Sequence, residues 1–360
     1  MIQSQQRPVS AAQIPVNRQT VRKRRRGRRR LPPGQRLVCD AILACLLIFC
    51  QAGILPAGTE DETGPAYVRE YQPAPFTLKE RMESLDKAIA AESTKPRLRA
   101  GVFLVEPTTG RYAERDARAS FPAASMIKIP VYVAYLQALD NKDISADQEL
   151  TIRPELVAGG SGFLQWRTPG SKVRAAEAAE LMMTHSDNTA TNLIIELVGG
   201  MEAVNRRAGQ WGLSQTRINN WLPDFAGTNR TSPYDLVLLL ARVDQGEILS
   251  STARTAMLGT MARCRTRTLL PQGLGPGAKI YHKTGDIGSM VGDAGIVAAP
   301  DGHRYLLAVQ VERPHNDRRA NQLVRDISGM VYHEFTGWTP PPKPKTAPKK
   351  QRSRKHRRHR

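Results

Sequence analysis

The sequence predicts an α/β fold of the α+β kind: an antiparallel sheet formed by both chain ends and flanked by helices, with an all-helical subdomain inserted between. Three observations predict it. β-like runs lie early, at Arg99–Val105 and Arg111–Ala117. Others lie late, at Ala278–Lys283, Ala294–Ala299 and Arg304–Val311. The stretch between them carries mostly helical periodicity and helix-capping signals, so the strands can form one sheet only if that stretch is an insertion.

The elements follow in order. Residues 1–36 hold eleven Lys and Arg and no acid, and the 22 residues from Thr339 hold ten more and no acid. The formal net charge is +20, so the chain between these tails is close to neutral. A high isoelectric point that belongs to the tails argues against specific nucleic-acid binding and leaves only non-specific attraction to anionic polymers. Residues 37–57 contain the apolar run Ala41–Leu55 behind the polybasic Arg22–Arg30. One-sided positive charge holds the head in the cytoplasm and sends the following chain outward, either from an uncleaved signal anchor or from a signal peptide cut near Ala57. The expectation is an exported catalytic domain, membrane-tethered in the periplasmic or other extracytoplasmic space, or secreted if the signal is cleaved.

Residues 58–75, rich in Gly, Pro and acids, read as a linker, and residues 76–338 as the catalytic domain. Phe76–Glu92 shows helical spacing with Leu78, Met82, Leu85, Ala88 and Ile89 on one face. Ser125–Ala138 is a strongly apolar helix. Arg174–Thr184 and Thr189–Val198 are further helices, the second closed by Gly199–Gly200. Gly200–Gln210, Ser232–Val243, Ser251–Met261 and Ala320–Phe335 complete the helices. Ile218–Asn229 has no periodicity and reads as a loop. Residues 339–360 form a basic Pro- and Lys/Arg-rich tail expected to be disordered. Of four cysteines only Cys264 lies beyond the N-terminal region, so the domain relies on its core rather than on a disulfide, with Cys264 simply buried.

Three short motifs carry chemistry: Ser125-Met-Ile-Lys128, Ser186-Asp-Asn188 and Lys283-Thr-Gly285. Ser-x-x-Lys alone is weak, since about one is expected by chance at this length, and Ser84-Leu-Asp-Lys87 on the first helix is such a decoy. The three in order, with the stretches Phe121-Pro-Ala-Ala-Ser-Met-Ile-Lys and Leu181-Met-Met-Thr-His-Ser-Asp-Asn-Thr-Ala-Thr-Asn, resemble the class A β-lactamases and the related penicillin-recognising serine enzymes. The resemblance covers about Phe76 to Trp338. It implies a class A β-lactamase-like fold, no metal or other cofactor, and a small β-lactam or peptidoglycan-type substrate acted on by a monomer. It also implies Ser125 as nucleophile, Lys128, Ser186 and Lys283 as its catalytic partners, and Asn188, Thr284, Gly285 and Asp286 as substrate-binding residues.

Residues i and i+3 share a helix face, so Lys128 can reach the Ser125 hydroxyl. A serine opening a helix has a free backbone N–H, half of an oxyanion hole, and Asp286 N–H is placed to supply the other half. Two lysines near one serine disfavour each other's charge, which makes a usable base. Ser186 can relay a proton to the leaving nitrogen, Asn188 can hold a substrate amide, and Gly285 lets the strand be approached closely. His185 reads as structural. Phe163 and Trp166 read as core residues in preference to a substrate wall.

Two departures from the family pattern stand out. In the loop Asn220-Trp-Leu-Pro-Asp-Phe-Ala226, Leu222 occupies the place of the glutamate that activates the deacylating water, and Asp224 is the only carboxylate between Arg217 and Thr231. Second, no Arg or Lys lies between Thr284 and Gly302, and Asp286 shares a strand face with Thr284. That arrangement disfavours a substrate carboxylate there unless an arginine from elsewhere compensates. The leading expectation is a serine hydrolase acylated at Ser125. The rivals are a cell-wall D-alanyl-D-alanine carboxypeptidase or amidase with the same acylation chemistry, a slowly deacylating penicillin-binding sensor, and an anionic-polymer-binding anchor resting on the tails alone.

Overall fold

The computed structural model describes residues 73–339. The predicted basic head and signal segment, nearly all of the basic tail, and all but the end of the predicted linker lie outside them. The elements begin with β1 (Glu80–Arg81), α1 (Glu83–Glu92), β2 (Arg99–Glu106), β3 (Arg111–Arg115) and β4 (Phe121–Pro122). The middle of the chain supplies α2 (Lys128–Asp140), β5 (Glu149–Thr151), β6 (Lys172–Arg174), α3 (Ala175–Thr184), α4 (Asn188–Leu197), α5 (Gly200–Gln210), β7 (Arg230–Thr231), α6 (Pro233–Asp244) and α7 (Ser251–Ala262). β8 (Lys279–Asp286), β9 (Met290–Ala298), β10 (Arg304–Glu312) and α8 (Arg318–Thr336) close the domain.

The main sheet has six strands in the order β1-β3-β2-β10-β9-β8. β10 lies antiparallel between β2 and β9, with Val309 opposite both Val102 and Asp293. Early and late strands therefore meet at the centre, as the split of β-like runs predicts, and the long middle becomes an inserted helical subdomain. β8 is left as an edge strand with one side of its backbone free.

The sheet buries both faces. One face, with Phe103, Val105, Ala294, Ile296, Leu306 and Ala308, joins the large core under α2 to α7. The other, with Val102, Leu104, Val297, Leu307 and Val309, is covered by α1 and α8 through Leu85, Ile89, Leu323, Ile327 and Val331. Burying each such side chain contributes about 1.5–3 kcal/mol. Helix starts follow from the sequence. Ser232 accepts from Asp235 N with Pro233 in the first turn of α6, and Ser250 accepts from Ala253 N at α7.

Several expectations are corrected by contacts and turns that local periodicity does not report. The predicted helix Phe76–Glu92 begins only at Glu83. Residues before it are drawn into the sheet, Glu80 and Arg81 pairing in parallel with Arg111 and Tyr112, and Met82 N bonding to Tyr112 O. Leu78, expected on the apolar face, is exposed. β3 stops at Arg115, because Asp116 turns into the left-handed region at φ 43°. Ser125 lies in a 3-10 turn, Ala124–Ile127, that precedes α2. At the linker's end, Pro73 O and Pro75 O accept bonds from Arg242 and Gln245 of α6, so these residues belong to the domain. Among the described residues no helix is long and apolar enough to cross a membrane.

Candidate active site

The site assembles where the 3-10 turn at Ser125, the turn before α4 and the free edge of β8 converge. Ala124 holds φ 43° and Ser186 φ 57°, left-handed values that cost a non-glycine residue about 1–3 kcal/mol and persist only where neighbours enforce them. At Ser186 the enforcement is visible. Lys128 Nζ donates to Ser186 O at 2.7 Å, and Asp187 N bonds to Leu181 O. The strained turn therefore presents both the carbonyl and the hydroxyl of Ser186 to one ammonium nitrogen.

Lys128 Nζ is the hub. It lies 3.0 Å from Ser125 Oγ, 3.0 Å from Ser186 Oγ and 2.8 Å from Asn188 Oδ1. With Ser186 O, that is four oxygens around a nitrogen carrying at most three protons. Lys128 is fully buried, and desolvation, reinforced by the Lys283 charge, pushes its pKa well below the ordinary range despite the opposing pull of Asp187. Lys283 Nζ lies 3.0 Å from Ser186 Oγ on the other side and 2.8 Å from Thr284 O. Burial lowers its pKa too, opposed in part by the Asp293 carboxylate. Ser186 Oγ thus bridges two buried lysines.

The oxyanion donors follow from strand geometry. Ile287 N bonds to Met290 O, so alternation along the antiparallel pair turns the N–H and C=O of Asp286 and Thr284 away from β9, toward the free edge. The bond from Lys283 Nζ to Thr284 O agrees with this. A Cβ on Gly285 would sit 3.0 Å from Ala124 Cβ and 3.1 Å from Ser125 N. The missing side chain is what lets β8 close against the nucleophile's turn.

The remaining site residues depart in part from expectation. Asn188 is buried, and both ends of its amide are engaged: Oδ1 with Lys128, and Nδ2 with Gly159 O at 2.9 Å. It positions the lysine and the 159–162 loop, leaving one amide proton for anything else. Thr284 is nearly buried beside Asp286. Asp286 is not an unopposed acid, because Arg313 Nη2 donates to its Oδ1 at 2.6 Å. Phe163 and Trp166 correct the core reading, being 58% and 81% exposed, the Phe163 ring edge-on to His185 at 5.0 Å. His185 stands outside the lysine network with Thr184 Oγ1 at its Nδ1, and Cys264 is buried, both as expected.

On the far side, Leu222 is buried and its backbone is clamped by Asn192, which accepts from Leu222 N at 3.0 Å and donates to Leu222 O at 2.8 Å. The peptide to Pro223 is cis. Asp224, the one nearby carboxylate of that loop, is also buried, with both oxygens engaged. Its Oδ1 accepts from Thr228 N and Thr228 Oγ1, and its Oδ2 from Asn229 N at 2.7 Å. It braces its own loop.

The model of the Beta-lactamase enzyme family matches residues 82–335. The chain belongs to that family. Its likeness extends to a curated β-lactamase of Streptomyces fradiae, 29% identical over 309 residues that cover 79% of this chain and 94% of the relative. Among solved structures, PBP-A is 46% identical with a TM-score of 0.71, over 73% of this chain and all of that one. A leucine-to-glutamate mutant of PBP-A, solved as an acyl-enzyme complex with penicillin G, is similar to the same degree. The β-lactamase of Sphaerobacter thermophilus is 27% identical with a TM-score of 0.64, over 72% of this chain and 99% of that one. The class A fold is thereby shown, and the chain is a serine hydrolase by family.

Three residues of this β-lactamase-family site escaped the sequence reading. Asp187 is wholly buried, caps α4 through Ala190 N, and accepts from Phe163 N and Leu164 N at 2.6 and 2.8 Å. A Cβ on Gly162 would collide with it at 2.2 Å. It ties the aromatic loop to the Ser186 turn. Asn192 and Arg313 are the others. An acid before a helical run was a legible cap signal for Asp187. Nothing local announced Asn192 or Arg313, whose partners lie 30 and 27 residues away.

Proposed function

We propose that this protein forms an acyl-enzyme at Ser125 with a β-lactam or a related peptidic amide, and releases the acyl group slowly. The observation that carries it is the buried Lys128, its nitrogen 3.0 Å from both Ser125 Oγ and Ser186 Oγ. A lysine with a pKa lowered by burial and by a second lysine takes the Ser125 proton as Oγ attacks the carbonyl carbon. The C–O bond forms, and the oxyanion is met by Ser125 N–H and Asp286 N–H. The C–N bond then breaks, and the proton passes through Ser186 Oγ to the leaving nitrogen. Lys283 holds Ser186 in line. The PBP-A acyl-enzyme complex with penicillin G supports this substrate class.

Slow release is favoured by one specific observation: Leu222 is buried where the activating carboxylate is expected, and the loop's one acid, Asp224, is buried and bonded through both oxygens to its own loop. This reading favours a slowly deacylating, penicillin-binding role over fast β-lactam turnover. Intact-mass spectrometry with penicillin G over time tests both halves. An adduct persisting for minutes is expected, and rapid multiple turnover without a visible adduct would reject slow release. The one-sided charge around Ala41–Leu55 further supports an exported domain held at the membrane. Protease added to intact cells should then digest the domain, and full protection would reject that topology.

A further inference from the structure

Asp286 stands at an unusual place for an acid. Its backbone N–H is turned to the free edge of β8, where the oxyanion is proposed to form, so its own side chain cannot lie far from the reacting carbonyl. The carboxylate is half-exposed, and its Oδ1 is occupied twice, by Gly288 N at 2.9 Å and by Arg313 Nη2 at 2.6 Å. Arg313 is held just as firmly. Its side chain is only 2% exposed, Nε donates to Gly288 O at 2.9 Å, and Nη1 donates to Asn321 Oδ1 at 2.7 Å.

We propose that the Asp286–Arg313 pair is a charge-specificity device: the chain's own carboxylate occupies the arginine beside the oxyanion donors, so the site favours substrates whose leaving side is neutral or cationic over those with a free carboxylate there. This deepens the acyl-enzyme reading and rests on it. Two features make the assignment. Among the described residues the one carboxylate bonded to Arg313 is that of Asp286, so a substrate anion competes with Asp286 for the guanidinium. Displacement is opposed because Asp286 is anchored a second time, by Gly288 N. A substrate anion therefore meets an already neutralised arginine and the half-exposed Asp286 carboxylate. The substrate class is a peptidic amide with an amidated or amine-bearing leaving group.

The test compares acylation of the full chain by penicillin G, whose carboxylate sits a few bonds from the scissile carbonyl, with acylation by its methyl ester. Intact mass is read in the wild type and in Asp286→Asn. Asparagine keeps the shape and the acceptor oxygen but removes the charge, leaving Arg313 uncompensated. The acid-to-ester rate ratio is expected to rise about tenfold in the variant at low salt, with the wild-type preference for the ester shrinking as ionic strength rises. The ratio cancels partial misfolding and any general change in oxyanion stabilisation, since both ligands sample the same protein. An unchanged ratio, or wild-type protein that already prefers the acid, overturns this inference alone. Absence of any adduct in either protein overturns the acyl-enzyme reading and this inference with it.

Discussion

The two walls of the site are built to opposite rules. On the side of α2 and β8, four polar groups converge on one buried nitrogen, and every contact lies between 2.7 and 3.0 Å. On the side of the 222–229 loop, an apolar side chain is buried, and both oxygens of the one acid accept from donors of the loop itself. Both walls are buried and well bonded, so the difference is not one of order. It lies in which groups are left free to move a proton. The first wall keeps a lysine whose charge is disfavoured. The second keeps only a buried carboxylate already bonded to three donors of its own loop, and this asymmetry argues for formation of the acyl-enzyme without efficient release.

The largest break of this comparison is Ser125→Ala. It should abolish covalent labelling by penicillin G entirely, while Ser84→Ala leaves labelling untouched. A mass adduct on the Ser125→Ala protein would place the nucleophile elsewhere. Next, Leu222→Glu should convert the second wall to the rule of the first. Adduct loss is expected to accelerate by roughly 10²–10⁴-fold, the worth of a positioned general base, and a chase after rapid desalting reads it directly.

The first wall has a pH signature. Acylation should fall about tenfold per pH unit below the lowered pKa of Lys128, because the ammonium form cannot take the Ser125 proton. A flat profile down to acidic pH would remove Lys128 from the base role. The same lowering affects stability. The folded state disfavours protonated Lys128, so its penalty is full below the folded pKa and fades as pH rises from there toward 10.5. The smallest effect concerns Asp224→Asn. Adduct loss should keep its wild-type rate, while the loop loses an acceptor and stability drops by about 1–3 kcal/mol, measured by urea titration. Slower adduct loss in this variant would make Asp224 the base.

Much of this was legible before any coordinates. Ser125, Lys128, Ser186 and Lys283 come from separate motifs, and the structure brings their side chains together. The strands of the sheet were readable because alternation and β-branched runs are local signals, and β8 to β10 each lie within four residues of expectation. The illegible parts share one cause. Residues 76–82 look helical until β3 recruits them, Asp286 looks unopposed until Arg313 folds back onto it, and Asp224 looks available until Thr228 and Asn229 use it. Each outcome is decided by a partner that periodicity cannot reveal. Phe163 and Trp166 failed differently. A hydrophobic residue type predicts burial on average, and a short loop pinned by Asp187 can leave such side chains in water.

The central strand β10 has a consequence in time. It joins β2, near the start of the domain, to β9 near its end, and neither half of the sheet has its partner until Arg304–Glu312 exists. During synthesis nearly the whole chain must therefore leave the ribosome before the sheet can close. Such non-local pairing makes folding slow, and a chain threaded through a secretion channel must stay unfolded for that long. The position of one strand thus delays commitment to the native state until nearly the whole chain has been made.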